Sequence, residues 1–256
     1  MSQYICVDIG GTSIKHGVLD ENAIIKECNQ TKTEAWLGGA AVLDKVKTIG
    51  KQYKEQYENI EGICISTAGM VDPEEGKIVF AGELMPGYTG TCIKKELEKA
   101  LEMPCEVEND VNCAGLAEYV SGSAKESHIM FCATVGTGIG GCAIVNGRVF
   151  HGASNSACEV GYIPMGDSDF QTLGASSILV RKVAEKKIEP LDMWDGKKIF
   201  ELAEKGDEVC ISAIKEMCDV LGKGLATICY VLNPDTIVLG GGIMVQKKIL
   251  ENEIRD

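Results

Sequence analysis

Short runs of alternating apolar and polar residues open the chain and predict β-strands. Glycines and short polar residues separate the first three runs, as in a strand meander. A long helical pattern with one charged face follows, and strands and helices then alternate. The elements predicted for this half are strands Tyr4–Ile9, Ser13–Leu19 and Ala23–Thr31, a helix from about Trp36 to Tyr57, strand Gly62–Ser66, a loop with Pro73 and Pro86, helix Thr91–Leu101, strand Cys105–Asn109 and helix Val111–Val120.

The second half repeats this order. Its predicted elements are strands His128–Val135 and Gly141–Val145, an Asn146-Gly147 turn into Val149 and Phe150, a loop region His151–Phe170, helices from about Leu173 to Lys186, Lys197 to Lys205 and Glu208 to Leu232, strand Thr236–Leu239 and a last helical run after a triple glycine. The repetition predicts two α/β lobes, residues 1–113 and 114–256. The second half lacks a counterpart of the strand and helix that end the first, so we expect a shortened C-terminal lobe, of reduced stability, or completion by another segment.

One segment imitates a membrane span, because no charged residue occurs between Ile129 and Val145. It is shorter than the about 20 apolar residues that a spanning helix needs. Its glycines would also unravel an isolated helix. A strand, a glycine turn and a second strand fit better.

Charge and the N-terminus narrow the range of partners and locations. The formal net charge is −13 and no block of basic residues occurs, which argues against nucleic acid, since phosphate neutralisation needs a concentrated Lys/Arg face. Acidity does not exclude ATP, because backbone N–H groups and Mg²⁺ can hold phosphates. The strand pattern begins directly after Met1-Ser2-Gln3 without a basic region, so we expect no signal peptide and a cytoplasmic, membrane-free protein.

Cysteine is frequent, with 12 residues, but its spacing is uninformative. No CxxC or CxC pair occurs, and several cysteines lie in strand-like apolar runs (Cys6, Cys64, Cys132, Cys142). Buried free thiols are therefore expected in preference to disulfides or metal ligands.

Two glycine-rich turns are candidates for phosphate binding. Asp8-Ile9-Gly10-Gly11-Thr12 lies between two predicted strands, where the glycines let the backbone approach an anion and the acid can hold Mg²⁺ through water. An ordinary hairpin with a capping Asp is the alternative. Thr134–Gly141 contains GxGxxG, but a dinucleotide fingerprint needs a helix next and this sequence gives a strand. A second phosphate hairpin is the better interpretation.

Two further segments contain acidic residues that are candidates for catalysis or substrate binding. Glu108-Asn109-Asp110-Val111-Asn112 ends a strand and opens a helix. One polar residue suffices as a helix cap, so Asn109 and Asp110 remain candidates to orient a hydroxyl and remove its proton. Glu159, in Glu159-Val160-Gly161-Tyr162, is either a satisfied loop acid or a ligand of sugar hydroxyls.

Together these motifs resemble the ROK family, which comprises bacterial sugar kinases and related sugar-responsive repressors. The resemblance covers essentially the whole chain and rests on motifs in the family's order and spacing: DIGGT at 8–12, STAGMV at 66–71, ENDVN at 108–112, TVGTGIGG at 134–141, EVGY at 159–162 and GGGI at 240–243. It implies an actin/hexokinase-like (ribonuclease H-like) α/β fold of two lobes that binds a sugar and MgATP, with a homodimer as a family-level expectation.

The resemblance also implies roles for residues. Asp110 would be the catalytic base for phosphorylation of a sugar hydroxyl. The sugar would be held by Asn109, Asp110 and Glu159, with Gly69 lining its pocket. The phosphates of the nucleotide would be surrounded by Gly10, Gly11, Thr12, Thr137 and Gly138, and the adenosine would lie against Gly241 and Gly242. Lys15 occupies a position of the first hairpin that is often basic in the family. Asp8 would contact Mg²⁺ through water.

Departures from the family pattern bear on the substrate. Family glucokinases have His where this chain has Tyr162, followed by a Cys-rich zinc cluster. Ile163–Ser177 contains neither Cys nor Glu, so no structural zinc is expected. Tyr162 offers one hydroxyl and an aromatic face, and we expect it to contact the sugar and to allow a substituent near its anomeric end. This resembles the β-glucoside kinases, which phosphorylate the 6-hydroxyl; N-acetylmannosamine and then glucose are the competing substrates.

Two other functions have less support in the sequence. A DNA-binding repressor would carry a helical module ahead of DIGGT, whereas Asp8 comes almost at once here; a non-catalytic sugar sensor remains an alternative. An acyl-phosphate kinase would need a cationic pocket, and Arg148 and Arg181 are the only arginines before Arg255.

Overall fold

The computed structural model describes residues 2–246, 249–250 and 253–254. They form a mixed α/β structure that divides into two compact units. The first unit runs to Cys113 and includes Ala153–Ser156, and the second holds Ala114–Gly152 and the residues from Ala157 onward. The boundary falls within one helix, which begins at Asp110.

The first unit is built on a five-stranded sheet in the order β3-β2-β1-β4-β7. Strands β1 to β3 are antiparallel, whereas β1, β4 and β7 run parallel. Its elements are β1 Gln3–Ile9, β2 Ser13–Asp20, β3 Ile25–Lys32, α1 Gly39–Gln56, β4 Ile60–Thr67, the hairpin β5 Met70–Asp72 and β6 Lys77–Phe80, α2 Ile93–Leu101, β7 Cys105–Asn109 and the first turn of α3 Asp110–Val120.

Alternation along these strands places the core on one face of the sheet. Ile5, Val7 and Ile9 of β1 are buried, as are Ile63 and Ile65 of β4. The amphipathic helices α1 and α2 contribute their buried faces to the same core. The opposite face carries Cys6 and Asp8 on β1 and Cys64 and Ser66 on β4, because successive side chains point to opposite sides.

The second unit contains a four-stranded sheet in the order β10-β9-β8-β13 and a helical layer. Phe131 of β8, Phe170 and Leu221 belong to its core. Gly224 lies so close to Phe170 that an added Cβ would come within 2.3 Å of the ring. The elements are β8 Ile129–Val135, β9 Ile139–Val145, β10 Arg148–Val149, the hairpin β11 Pro164–Met165 and β12 Ser168–Asp169, α4 Phe170–Gly174, α5 Ser176–Lys187, α6 Gly196–Glu204, α7 Glu208–Leu232 and β13 Thr236–Gly240.

Several predicted elements need correction. The helix predicted from Leu173 to Lys186 is two helices, because Ala175 has extended backbone (φ −68°, ψ 152°). The two predicted loop regions contain the hairpins β5–β6 and β11–β12. Gly242–Gln246 forms a 3-10 helix, and part of the last predicted helical run lies outside the described residues.

The cysteines are free thiols, but the expectation that they are buried is wrong at three positions, because Cys28, Cys64 and Cys229 are exposed. The charge-free segment Ile129–Val145 forms the antiparallel pair β8–β9, as predicted. Within the described part of the chain, no helix combines the length and apolar character needed to cross a membrane.

Candidate active site

The candidate residues of the first unit lie at one edge of its sheet. Ile9, Thr67 and Asn109 occupy one row across β1, β4 and β7, and each is the last residue of its strand. The carboxyl ends of parallel strands are the usual binding edge of α/β proteins. Asp8, Gly10, Gly69 and Asp110 lie beside this row in the sequence.

Asn109 is the N-cap of α3. Its Oδ1 accepts hydrogen bonds from the backbone N–H of Val111 at 2.9 Å and of Asn112 at 3.1 Å, as an N-cap side chain does. Its Nδ2 donates to the carbonyl oxygen of Gly69 at 2.9 Å and to Oδ1 of Asp110 at 3.0 Å. Asn109 therefore caps the helix and joins Gly69 to Asp110.

Asp110 keeps one carboxylate oxygen available. The backbone N–H of Val111 donates to Oδ1 at 2.9 Å, and Asn109 donates to the same oxygen. Among the described residues, no hydrogen bond from another residue reaches Oδ2. Because Asn109 performs the capping, Asp110 has a carboxylate oxygen with which to accept a proton.

Electrostatics favour a proton on Asp110. Part of the side chain reaches solvent, yet protein surrounds the carboxyl group closely enough that desolvation raises its pKa above the ordinary value. The hydrogen bond from the Val111 N–H opposes this rise, and the negative charge of Asp8 adds to it. A raised pKa strengthens a carboxylate as a base.

Asp8 lies near the carboxyl end of β1. The Ser66 hydroxyl donates to its Oδ1 at 2.8 Å, and Nζ of Lys15 lies 3.8 Å from its Oδ2. In the described part of the chain, no three His, Cys, Asp or Glu side chains are grouped to hold a metal ion. A single carboxylate beside an ammonium group is suited to contact, through a water molecule, a Mg²⁺ ion whose main ligands are nucleotide phosphates.

The first glycine hairpin connects β1 and β2. The backbone N–H of Gly10 donates to the carbonyl of Ser13 at 3.1 Å, and the hydroxyl of Thr33 donates to the carbonyl of Gly10 at 2.6 Å. The N–H of Thr33 bonds to the carbonyl of Thr12 at 3.0 Å. Gly11 is exposed, and a Cβ on it would meet nothing within 4 Å. The hairpin is anchored at Gly10 and Thr12 and open at Gly11.

The second unit contains a pocket of about 340 Å³. Two predicted nucleotide residues, Thr137 and Gly242, line it. The N-terminus of α5 also borders it, and that helix begins after Ala175, which has no side chain able to cap. The residues lining the pocket are Gly136, Thr137, Ser176, Ser177, Val180, Gly196, Lys197, Gly242 and Ile243.

The turn between β8 and β9 is tied to α5. The Ser176 hydroxyl donates to the carbonyl of Gly136 at 2.6 Å, and the Ser177 hydroxyl donates to that of Thr137 at 2.7 Å. Gly138 does not line the pocket; a Cβ there would come within 2.8 Å of Gln171 Oε1. The glycine-rich turn between β8 and β9 is therefore held by the helix beside the pocket.

Gly241, which precedes the pocket residue Gly242, packs against the backbone of Val135. Its φ of +97° belongs to the region that favours glycine, and an added Cβ would lie 2.2 Å from the carbonyl oxygen of Val135. Its carbonyl accepts from the N–H of Met244 at 3.0 Å. The neighbouring Gly242 faces open space, since a Cβ there would meet nothing within 4 Å.

Glu159 precedes a short 3-10 turn, Val160–Tyr162, and Tyr162 is its last residue. Val160 is buried, and Gly161 packs so tightly on β9 that a Cβ would lie 2.4 Å from the carbonyl of Ile139. Glu159 is exposed, and Tyr162 exposes 60% of its surface. The two buried residues fix the turn and leave the side chains of Glu159 and Tyr162 accessible.

The sequence did not reveal several residues of these sites. Ser176, Ser177 and Lys197 belong to no recognised motif, although Ser176 and Ser177 begin a helical pattern. Ser66 opens the STAGMV motif at 66–71 but had no role predicted for it. Ser66 is recognisable only once β1 and β4 are known to be neighbours.

The model of the ROK family matches residues 4–256. This chain belongs to the ROK family. A β-glucoside kinase of Klebsiella pneumoniae is 31% identical over 93% of this chain and 80% of its own length.

ROK structures share the same fold. A ROK protein of Streptococcus pneumoniae in complex with sucrose is 30% identical, with a TM-score of 0.85 over 99% of this chain and 84% of its own. A ROK glucokinase of Streptomyces griseus in complex with glucose and AMPPNP is 26% identical, with a TM-score of 0.84 over 99% and 88%. The chain thus has the actin/hexokinase-like fold of ROK sugar kinases.

Proposed function

We propose that this ROK protein is an ATP-dependent sugar kinase in which Asp110 removes the proton of the accepting hydroxyl. The observation that carries the proposal is the carboxylate of Asp110, which has one available oxygen and a raised pKa at the binding edge of the sheet. The named relatives are a sugar kinase and two ROK proteins that hold sugars.

The proposed reaction uses Asp110 Oδ2 as the proton acceptor. The sugar hydroxyl donates a hydrogen bond to this oxygen, its proton passes to Asp110, and the hydroxyl oxygen attacks the γ-phosphorus of ATP. The bond from the γ-phosphorus to the bridging oxygen breaks, and ADP leaves. Asn109 keeps the carboxylate in place, and Gly69 and Glu159 contribute to the sugar pocket.

Nucleotide binding is proposed for the 340 Å³ pocket of the second unit. The N-terminus of α5 attracts anions through the helix dipole, and Lys197 adds a positive charge. Gly10, Gly11, Thr12, Lys15, Thr137 and Gly138 are proposed to surround the phosphates, and Gly241 and Gly242 the adenosine. A Mg²⁺ ion, contacted by Asp8 through water, would neutralise phosphate charge.

The proposed acceptor is the 6-hydroxyl of a hexose or β-glucoside. The exposed Tyr162 ring offers a face on which a second sugar ring can stack. The K. pneumoniae β-glucoside kinase is consistent with this substrate class.

A coupled assay of ADP release tests both the kinase activity with its acceptor sugar and the role of Asp110. Wild type and Asp110→Asn are assayed with MgATP and cellobiose, other β-glucosides, N-acetylmannosamine or glucose. We expect sugar-dependent ADP release, fastest with a β-glucoside, and a loss of about 10²- to 10⁴-fold in Asp110→Asn. If folded wild type releases no sugar-dependent ADP, the protein is not a kinase for these sugars. Full activity of Asp110→Asn would contradict the role of Asp110 as the base. Faster ADP release with another sugar would identify that sugar, and not a β-glucoside, as the acceptor.

A further inference from the structure

Two cysteines lie side by side on the first sheet. Cys6 of β1 pairs directly with Cys64 of β4, and these parallel strands place both thiols on the face opposite the core. Neighbouring strands lie about 4.8 Å apart, which is within the about 4.4–6.8 Å range of Cα separations found in disulfides. The pair therefore meets the first geometric condition for an S–S bond.

Solvent reaches this pair from the Cys64 side. Cys64 is exposed and Cys6 is partly buried. A hydrogen bond from the Cys6 thiol lowers the pKa of Cys64, which favours the nucleophilic thiolate on the exposed member of the pair. The structure thus combines an accessible attacking thiol with an adjacent resolving thiol.

The next row of the sheet holds candidate active-site groups. Asp8 pairs with Ser66 one side-chain position beyond Cys6 and Cys64, and the Ser66 hydroxyl donates to Asp8 at 2.8 Å. A third thiol, Cys113, also forms a hydrogen bond with Ser66, but burial raises its pKa to about 12. Cys113 is therefore a poorer nucleophile than Cys64.

We propose that Cys6 and Cys64 form a reversible dithiol site that a hydroperoxide oxidises to a disulfide between β1 and β4. The Cys64 thiolate attacks one peroxide oxygen, the O–O bond breaks, and hydroxide or alkoxide leaves, which gives Cys64 sulfenic acid. The Cys6 sulfur then attacks the sulfenic sulfur, the S–S bond forms, and the hydroxyl group leaves with the thiol proton as water. Two equivalents of a small thiol reduce the disulfide by exchange and are released as their own disulfide.

The disulfide would alter the neighbouring row. The S–S bond would add a constraint between β1 and β4 directly beside the Ser66–Asp8 hydrogen bond. Misplacement of site groups by about 1 Å can cost about a hundredfold in rate, so we expect a reversible loss of about tenfold to a hundredfold. The dithiol does not depend on the kinase function, whereas this effect on the rate rests on the proposed kinase function.

Thiol chemistry provides the first test, without any activity assay. With limiting N-ethylmaleimide at pH 7, Cys64 should react about threefold to tenfold faster than the exposed Cys28 and Cys229. After hydrogen peroxide treatment of the whole chain, peptide mapping should find a Cys6–Cys64 disulfide that dithiothreitol removes. Equal labelling rates, a Cys64–Cys113 disulfide or irreversible oxidation of Cys64 alone would overturn the proposal.

Activity and matched variants provide the second test. Peroxide should reduce sugar-dependent ADP release of wild type, and dithiothreitol should restore it. Cys64→Ser and Cys6→Ser should lose the reversible response, whereas Cys28→Ser and Cys229→Ser should keep it, with melting curves confirming that all are folded. A mapped disulfide without loss of rate would overturn the coupling to the site. Absence of any ADP release before oxidation contradicts the kinase proposal but not the dithiol.

Discussion

At the scale of single residues, the candidate base depends on its neighbour. Asn109 takes the capping position of α3 and also fixes Oδ1 of Asp110. The sequence identified both residues as polar candidates but could not say which of them would cap. That division follows from the register of the helix, which begins at Asp110.

We expect Asp110→Asn to be at least as thermally stable as wild type at pH 7. A carboxyl whose folded pKa is raised destabilises the fold at pH values above that pKa, because the charged form is disfavoured in the native state. The neutral amide removes this effect and the repulsion from Asp8. Melting temperatures of the two proteins at pH 7 check it, and a clearly lower value for Asp110→Asn would contradict it.

The same pKa shift predicts the acid side of the pH–rate profile. The base acts only when deprotonated, so kcat/KM should fall as the pH drops through a pKa above the ordinary 3.8 of Asp. Because Asp8 contributes to the rise, Asp8→Asn should move this acid limb to lower pH, whatever its effect on the maximum rate. An unchanged limb in Asp8→Asn would contradict the assignment to Asp110.

Asn109 permits its two roles to be separated. Asn109→Ala should destabilise the protein by about 1 kcal/mol, since the N-cap is lost. Asn109→Ser retains a capping hydroxyl but no Nδ2, so it should keep stability within a few tenths of a kcal/mol and still lose sugar-dependent activity. Urea unfolding and coupled ADP release measure the two effects. Equal activity of Asn109→Ser and wild type would show that orientation of Asp110 does not depend on Nδ2.

At the scale of elements, sequence patterns located most strands and helices but not their interruptions. The strands of both sheets were predicted because their apolar faces are buried, and α7 was predicted with the same bounds as observed. Ala175 was missed because alanine favours helix, and only the bonds from Ser176 to Gly136 explain its extended backbone. The short hairpins β5–β6 and β11–β12 were missed because they bury too few residues to leave a pattern.

Gly241 and Gly242 are adjacent glycines, of which only Gly241 has a backbone conformation and surroundings that exclude a side chain. Gly241→Ala should cost about 1–3 kcal/mol or more, since its positive φ and the nearby Val135 carbonyl exclude a Cβ. Gly242→Ala should unfold like wild type because its surroundings are open. Urea unfolding of both variants checks this. Comparable destabilisation by the two substitutions would contradict the assigned backbone role.

At the scale of the whole molecule, each unit has its own sheet and its own core. The motifs of the sequence fall on both units, with Asp110 in the first and Thr137 and Gly242 in the second. The family resemblance predicted the fold, and the comparisons confirmed it. The pocket itself could not be predicted, because its lining comes from segments far apart in the sequence, including Gly136, Ser176, Gly196 and Gly242.

Nucleotide binding to the second unit should stabilise the molecule. MgAMPPNP at about a hundredfold excess over its Kd should add about 2.7 kcal/mol to the free energy of unfolding. Val180 lines the pocket, so Val180→Trp should abolish the shift, whereas the exposed neighbour Arg181→Trp should keep it. Thermal melts with and without nucleotide check this, and a full shift in Val180→Trp would place the nucleotide elsewhere.

The pairing of β13 with β8 has a consequence for protein synthesis. The strands of the first sheet all lie before Asp110, so they leave the ribosome early and can pair as they emerge. In the second sheet, β8 ends at Val135, whereas its parallel partner begins at Thr236. One edge of β8 therefore stays unpaired while residues 136–235 are synthesised, and nascent chains are most exposed to aggregation and to chaperone capture during such an interval.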